Sequence, residues 1–412
     1  MSIITICSIV VTICALFSYI NYKYIKLPTT IGIMAISMVV SALILVLEAV
    51  SVDFETSVNE LMKSIDYSKT VLDFMLGFLL FAGSLHVPGH ILRAEKYIIA
   101  IMALAGTAFS TMLVALVVYN LFPALGFEIS FIQALLFGAL VSPTDPIAVM
   151  AILRKAGITK SLETKVVGES LFNDGIAIVI FLTLLGVDEQ GAVTASHIAM
   201  LFAEEAVGGV VLGGVLGYIA LVMLRRVDNY QVAIFLTLAV VMGGYEIAKA
   251  LHTSGPIAMV VAGLIVGNIA RAKAMSAHTK EILDSFWELI DEFMNAILFM
   301  LVGFELLIIE FNQTALYAGL IMVPTLLLIR YVSVLIPVTV LRRFRNFSPG
   351  AVYILTWGGL RGGLSVALVL SLPASELRDF ILLVTYCIVM FSILVQALTI
   401  GKLAKKYSVN VD

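Results

Sequence analysis

Four polar side chains, Glu169, Ser170, Asn173 and Asp174, interrupt one apolar stretch of the chain, residues 164–186, which reads TKVVGESLFNDGIAIVIFLTLLG. The stretch is long enough to cross a bilayer as a helix. A carboxylate at the centre of such a helix costs about 2.5–3.5 kcal/mol to insert, even on the most lenient scale. Buried acids exchange protons with their surroundings, and their ionised forms attract cations. On a helix, Glu169 and Asn173 share one face, and Ser170 and Asp174 share another about 100° away. One broad stripe therefore presents two carboxylates, a hydroxyl and an amide. Oxygen donors of this kind suit a hard cation such as Na⁺. A plainer reading makes these groups helix-to-helix glue, a role worth about 0.6 kcal/mol each. Acids inside a membrane are functional by default, which favours the cation.

The rest of the chain must hold this stripe in place. Its 412 residues are 61% hydrophobic and 13% charged, whereas soluble domains carry about 25% charged residues. The composition predicts an all-α polytopic membrane protein with almost no soluble mass. The net charge of -3 carries no sign of nucleic-acid binding, and no nucleic-acid partner is expected. Cys7, Cys14 and Cys387 lie in apolar runs and form neither a metal-ligand spacing nor a disulfide framework. The first apolar run lacks a basic leader and a small-residue cleavage site, so it is expected to be retained as a helix. The last span ends near Leu403, and no regulatory tail domain is expected after it.

Apolar runs of spanning length predict thirteen transmembrane helices, at about 3–20, 31–47, 71–87, 97–119, 130–153, 164–186, 199–224, 231–250, 256–270, 283–309, 315–341, 350–371 and 379–403. Charge tests the count. Alternate loops hold 19 Lys and Arg residues, among them Lys23, Arg93, Arg154, Lys160, Arg225, Arg271, Arg342 and Lys405, and the intervening loops hold only Lys63, Lys69, Lys249 and Arg378. This asymmetry places the first set in the cytoplasm, with the N-terminus outside and the C-terminus inside.

Two spans are interrupted. The fifth breaks at Ser142-Pro143-Thr144-Asp145-Pro146, where two prolines remove backbone donors. The twelfth is loosened by Gly358, Gly359, Gly362 and Gly363. They lie seven spans apart and so run in opposite directions. Broken crossing helices of opposite polarity are the sequence sign of an inverted-repeat transporter. No residue-level repeat accompanies them, so the symmetry rests on topology. Asp145 before Pro146 also reads as an N-cap followed by proline at the first helical position. Thr144 could offer its hydroxyl or carbonyl oxygen. Arg330 and Arg361 are intramembrane cations that need partners. Arg330 is expected to pair with Glu169, leaving Asp174 as the working acid, and Arg361 to cap half-helix ends at the twelfth-span break. Asp73, Glu204, Glu205, Glu246 and Lys249 lie near span ends and read as interfacial or vestibule groups. Gly208, Gly209, Gly213, Gly214 and Gly217 read as a helix-packing stripe.

SPTDPIAV, GESLFNDG and GGLRGGLSVALVLSLP, in order along the chain, resemble the signature segments of the NhaP/NHE-type sodium/proton antiporters of the monovalent cation:proton antiporter superfamily. The resemblance implies a homodimer in the prokaryotic inner (plasma) membrane. A transport core, from spans within about 71–186 and 283–403, would move against a dimerisation scaffold that includes about 1–47 and 199–250. It implies Asp174 as the shared site for H⁺ and the transported cation, with oxygens from Ser170, Thr144 and Asp145. Asn173 would be the neutral neighbour found in mostly electroneutral exchangers, Glu169–Arg330 a structural ion pair, and Arg361 a support of the broken helices. Na⁺ or Li⁺ and H⁺ are the expected partners, together with membrane lipids, and no cofactor and no enzymatic activity are expected. Many relatives carry a carboxylate in the third span where this chain has Ala82. The implied transport is one cation for one proton, electroneutral, by an elevator-type movement. Alternatives of other kinds are a K⁺/H⁺ antiporter of the same fold, a cation channel, and an intramembrane aspartyl hydrolase built on Asp145 and Asp174.

Overall fold

The computed structural model describes residues 3–49, 67–145, 147–190, 195–270, 275–343 and 350–408. Lipid offers backbone groups no partner, so each must be satisfied within the protein. The chain meets this with helices: among the described residues there is no strand, only an isolated antiparallel bridge between Asp145 and Leu360. In chain order the helices are α1 (Ile4–Ile25), α2 (Thr29–Leu47), α3 (Tyr67–Leu85), α4 (Leu92–Ala124), α5 (Phe131–Val141), α6 (Ile147–Lys155), α7 (Lys160–Gln190), α8 (Ala195–Leu224) and α9 (Tyr230–Ala250). There follow α10 (Gly255–Ala270), α11 (Ala277–Phe304), α12 (Gln313–Leu341), α13 (Ala351–Trp357), α14 (Gly363–Leu370) and α15 (Glu376–Tyr407).

Local sequence sets where many of them begin. Ser130 and Gln133 close a reciprocal capping box at α5. Asn229, Ser254, Ser276, Asn312 and Ser375 accept from first-turn amides at α9, α10, α11, α12 and α15. Among the described residues, nine helices are long and apolar enough to cross a membrane: α1, α2, α3, α4, α7, α8, α9, α12 and α15. Helix α7 is longer than its apolar stretch of 164–186, because Lys160, Glu163 and Asp188 extend the same helix at its charged ends. The predicted interruptions are present, since α5 stops at Val141 before α6, and α13 stops at Trp357 before α14.

Helix α7 lies at the centre of one group, packed against α4, α5, α8 and α10. Helix α12 packs along α13 and α15, and α11 lies between α2 and α3. The glycine stripe of α8 does serve packing: a Cβ on Gly213 would come within 2.9 Å of the Ala258 backbone on α10. The peripheral charges stay peripheral. Lys249 Nζ lies 3.1 Å from Asp73 Oδ1, and both side chains are nearly half exposed.

Candidate functional site

The site is built where the two interruptions meet. Four residues without helical bonding, 142–145, run through the interior, so their polar groups need partners from elsewhere. The Ser142 hydroxyl donates to the Gly138 carbonyl at 2.7 Å, closing the end of α5. The guanidinium of the buried Arg361 donates from Nη1 to the Pro143 carbonyl at 3.1 Å. The Thr144 amide donates to Asn173 Oδ1 at 3.3 Å, and the Asp145 amide to the Leu360 carbonyl at 2.9 Å. The break in one segment is thus satisfied by α7 and by the break in the other. Arg361 does not act on its own break, as the sequence suggested. It reaches across to the C-terminal side of α5, where unpaired carbonyls concentrate partial negative charge. Pro146, the expected first helical residue of α6, lies outside the described residues.

Two glycines make this junction sterically possible. A Cβ on Gly362 would stand 2.7 Å from Asp145 Oδ2, and one on Gly359 would stand 2.7 Å from Arg330 Nε. Glycine at the second break therefore admits the side chains that bracket the first.

The stripe on α7 divides three ways. Glu169 turns to α12, where Arg330 grips it with both terminal nitrogens, Nη1–Oε1 at 2.6 Å and Nη2–Oε2 at 2.9 Å. Glu169 is 2% and Arg330 8% exposed. Paired, parallel N–H donors are the strong form of carboxylate recognition. Ser170 and Asn173 turn to the break: Thr144 Oγ1 lies 3.0 Å from Ser170 Oγ and accepts from Asn173 Nδ2 at 2.8 Å. Asp174 turns to a cavity of about 560 Å³ and has no hydrogen-bond or ion-pair partner among the described residues. The sequence grouped these residues in pairs four apart. The observed grouping differs because Ser170 and Asn173, three apart, both reach the single Thr144 side chain.

Asp145 shares the cavity with Asp174, and both are only partly buried. Asp145 and Arg361 are close enough to Asp174 for their charges to act on it. The walls also include Ala82, Ser365 and, from the adjoining ends of α6 and α7, Arg154, Lys160 and Glu163. The volume is many times the ~30 Å³ of one liquid water, so a hydrated ion fits. Chemically the site offers two carboxylates in an accessible space, a hydrogen-bonded hydroxyl–amide cluster behind them, and a locked ion pair beside them.

Helix α11 supplies wall residues that the sequence reading passed over, namely Glu288, Asp291, Glu292 and Asn295. The signal was available. Asp284, Glu288, Asp291 and Asn295 recur at four, three and four residues, the period of a single helix face.

Comparison with known proteins agrees with this architecture. The profile of the family described as "Sodium/hydrogen exchanger, transmembrane" matches residues 9–406. The chain is 48% identical over 402 residues to the Na(+)/H(+) antiporter NhaP of Pseudomonas aeruginosa, covering 96% of this chain and 95% of that one. It is 33% identical over 390 residues to the Na(+)/H(+) antiporter NhaH of Halobacillus dabanensis, covering 93% of each. Among solved structures, the sodium proton antiporter MjNhaP1 of Methanocaldococcus jannaschii has the same fold, with a TM-score of 0.78 over the full length of both chains at 18% identity. A match of this extent makes the protein a multi-pass membrane transporter rather than an enzyme, which removes the hydrolase reading, and the chain belongs to the transmembrane sodium/hydrogen exchanger family.

Proposed function

We propose that this protein exchanges Na⁺ or Li⁺ for H⁺ across the inner membrane, with Asp174 as the site both ions share. The observation that carries the reading is the division of α7: Glu169 is engaged by Arg330, and Asp174 reaches the cavity with no hydrogen-bond or ion-pair partner among the described residues. The relatives named Na(+)/H(+) antiporters favour these two ions. Asp145, Ser170 and Thr144 supply further oxygens, directly or through water. Neither ion is a cofactor; both are cargo.

Sharing one carboxylate couples the two fluxes. A proton on Asp174 removes the charge that attracts Na⁺, and Na⁺ on Asp174 displaces the proton. The empty, ionised site is costly to carry through an apolar barrier, which suppresses leak. At low pH protons hold the site against Na⁺, and at high pH protons are too scarce to return it, so the rate passes through an optimum. Asn173 contributes no charge, because its side chain is a neutral amide, and Glu169 keeps its charge balanced by Arg330. One positive charge then moves each way, and exchange is electroneutral.

The two interrupted segments, the short α10 and the acid-bearing α11 bring the crossings to thirteen, with the N-terminus outside and the interrupted pair crossing at the centre of inverted repeats. The ends of α6 and α7 that bear Arg154 and Lys160 then face the cytoplasm, and the cavity opens to that side. The transport core is drawn from α3–α7 and α11–α15. Helices α1, α2, α8 and α9 form the scaffold of a homodimer against which the core moves like an elevator. The exposed Val207, Val211, Val215 and Tyr218 of α8 lie along one face suited to lipid or to a second copy.

Reconstitution in proteoliposomes tests the reading. An imposed Na⁺ gradient should drive opposite proton movement at the same rate with and without an imposed membrane potential. A rate that follows the voltage contradicts electroneutral exchange.

A further inference from the structure

Asn295 is 1% exposed, and its side-chain oxygen has no hydrogen-bond donor among the described residues. Its amide nitrogen donates to the Asp291 carbonyl at 2.8 Å and to Asp291 Oδ1 at 3.2 Å. The backbone carbonyl can only accept, so the nitrogen must face it and the oxygen must face away. The result is an oriented buried acceptor that lacks a donor, a costly arrangement in a protein interior. Asn295 and Asp291 line the same cavity as Asp174 and Asp145. Asp291 is close enough to Asp145 for their charges to interact. The stretch of α3 that completes this wall, Leu76 to Gly83, brings no side-chain oxygen. The hydroxyls of Thr144 and Ser170 bond to each other and Thr144 accepts from Asn173, so they offer an ion only their remaining lone pairs. A hard cation that sheds water needs several oxygens around it, and the donor-free oxygen of Asn295 is one a cation can satisfy and a proton donor need not.

We propose that Asn295 Oδ1 and the Asp291 carboxylate, both from α11, form part of the cation-binding shell facing Asp174. Together they set the affinity for Na⁺ and the choice between Na⁺ and Li⁺. This rests on the antiport reading above and adds a specificity-determining pair to it. Asp291 also orients Asn295 by occupying its nitrogen, so the two act as a unit.

The test uses the full chain in proteoliposomes, with exchange rates measured over a range of Na⁺ and of Li⁺ concentrations. Asn295→Ala should raise the KM for Na⁺ about tenfold, with kcat within about twofold of the parent and a changed Na⁺/Li⁺ KM ratio, the pattern of lost ion binding. Asp291→Asn keeps the acceptor that holds the Asn295 nitrogen and removes only the charge. It should also raise KM, and it decides the matter if Asn295→Ala does not fold. A parent-like KM in the folded variants, or a fall in kcat at unchanged KM, overturns the proposal and leaves Asn295 a packing residue. Asp174→Asn serves as the reference. If it is inactive while the α11 variants have the parent KM, only this inference fails. If it still exchanges ions, the Asp174 reading fails and this inference with it.

Discussion

Glu169 and Asp174 lie five residues apart on one helix, have the same chemistry, and occupy opposite surroundings. Glu169 is sealed against α12 with both oxygens bonded to Arg330. Asp174 is turned to an open cavity beside Asp145. An acid that is paired and sealed has its charge already balanced and no route by which to exchange an ion. An acid on a cavity wall has a charge to offer and such a route. On the proposed reading, position on the helix gives one carboxylate a structural role and the other the transport role. The junction of the two breaks divides them, through the Thr144–Ser170–Asn173 cluster that fills the space between.

Exchanging the carboxylates for amides should separate the two roles. The largest effect falls on Asp174→Asn, which should abolish Na⁺-driven proton movement while the protein still purifies as a folded species with parent-like thermal stability. Wild-type exchange in that variant ends the assignment of Asp174. Glu169→Gln should act in the other direction. It strands a buried guanidinium, and breaking one half of a buried pair costs about 3–5 kcal/mol. Thermal unfolding of the purified protein should shift accordingly, and an unchanged transition would mean that Arg330 is stabilised some other way. The Asp73–Lys249 pair sets the lower end of the scale. Its side chains are 47% and 45% exposed, and exposed pairs contribute about 0–1 kcal/mol. Lys249→Ala should leave both exchange and thermal stability close to the parent, and a large loss in either would place that pair in the mechanism.

Much of this was legible in the sequence because charge inside a membrane leaves few choices. Arg330 had to find an acid, and Glu169 was the candidate that did not also have to work. The prolines at 143 and 146 and the glycines at 358–363 marked both interruptions, since few residues so plainly break a helix. What stayed hidden depended on tertiary approach. Arg361 was assigned to its own break, because nothing local reveals a bond to the Pro143 carbonyl 218 residues away. The roles of Gly359 and Gly362 in making room for Arg330 and Asp145 follow only from how near the two breaks come. Asn295 closes the polar face that Asp284, Glu288 and Asp291 mark in the sequence, but nothing in that spacing shows that its oxygen lacks a donor. Its missing donor becomes visible only once its neighbours are in place.

The central claim is that Na⁺ and H⁺ compete for the carboxylate of Asp174. Its most direct test is proton release on binding, since an ion that takes a protonated ligand must displace the proton. Adding Na⁺ to the purified protein in weakly buffered solution near neutral pH should release up to about one proton per chain in the parent, with a saturable dependence on Na⁺, and none in Asp174→Asn. Equal release from the two proteins would contradict the shared site.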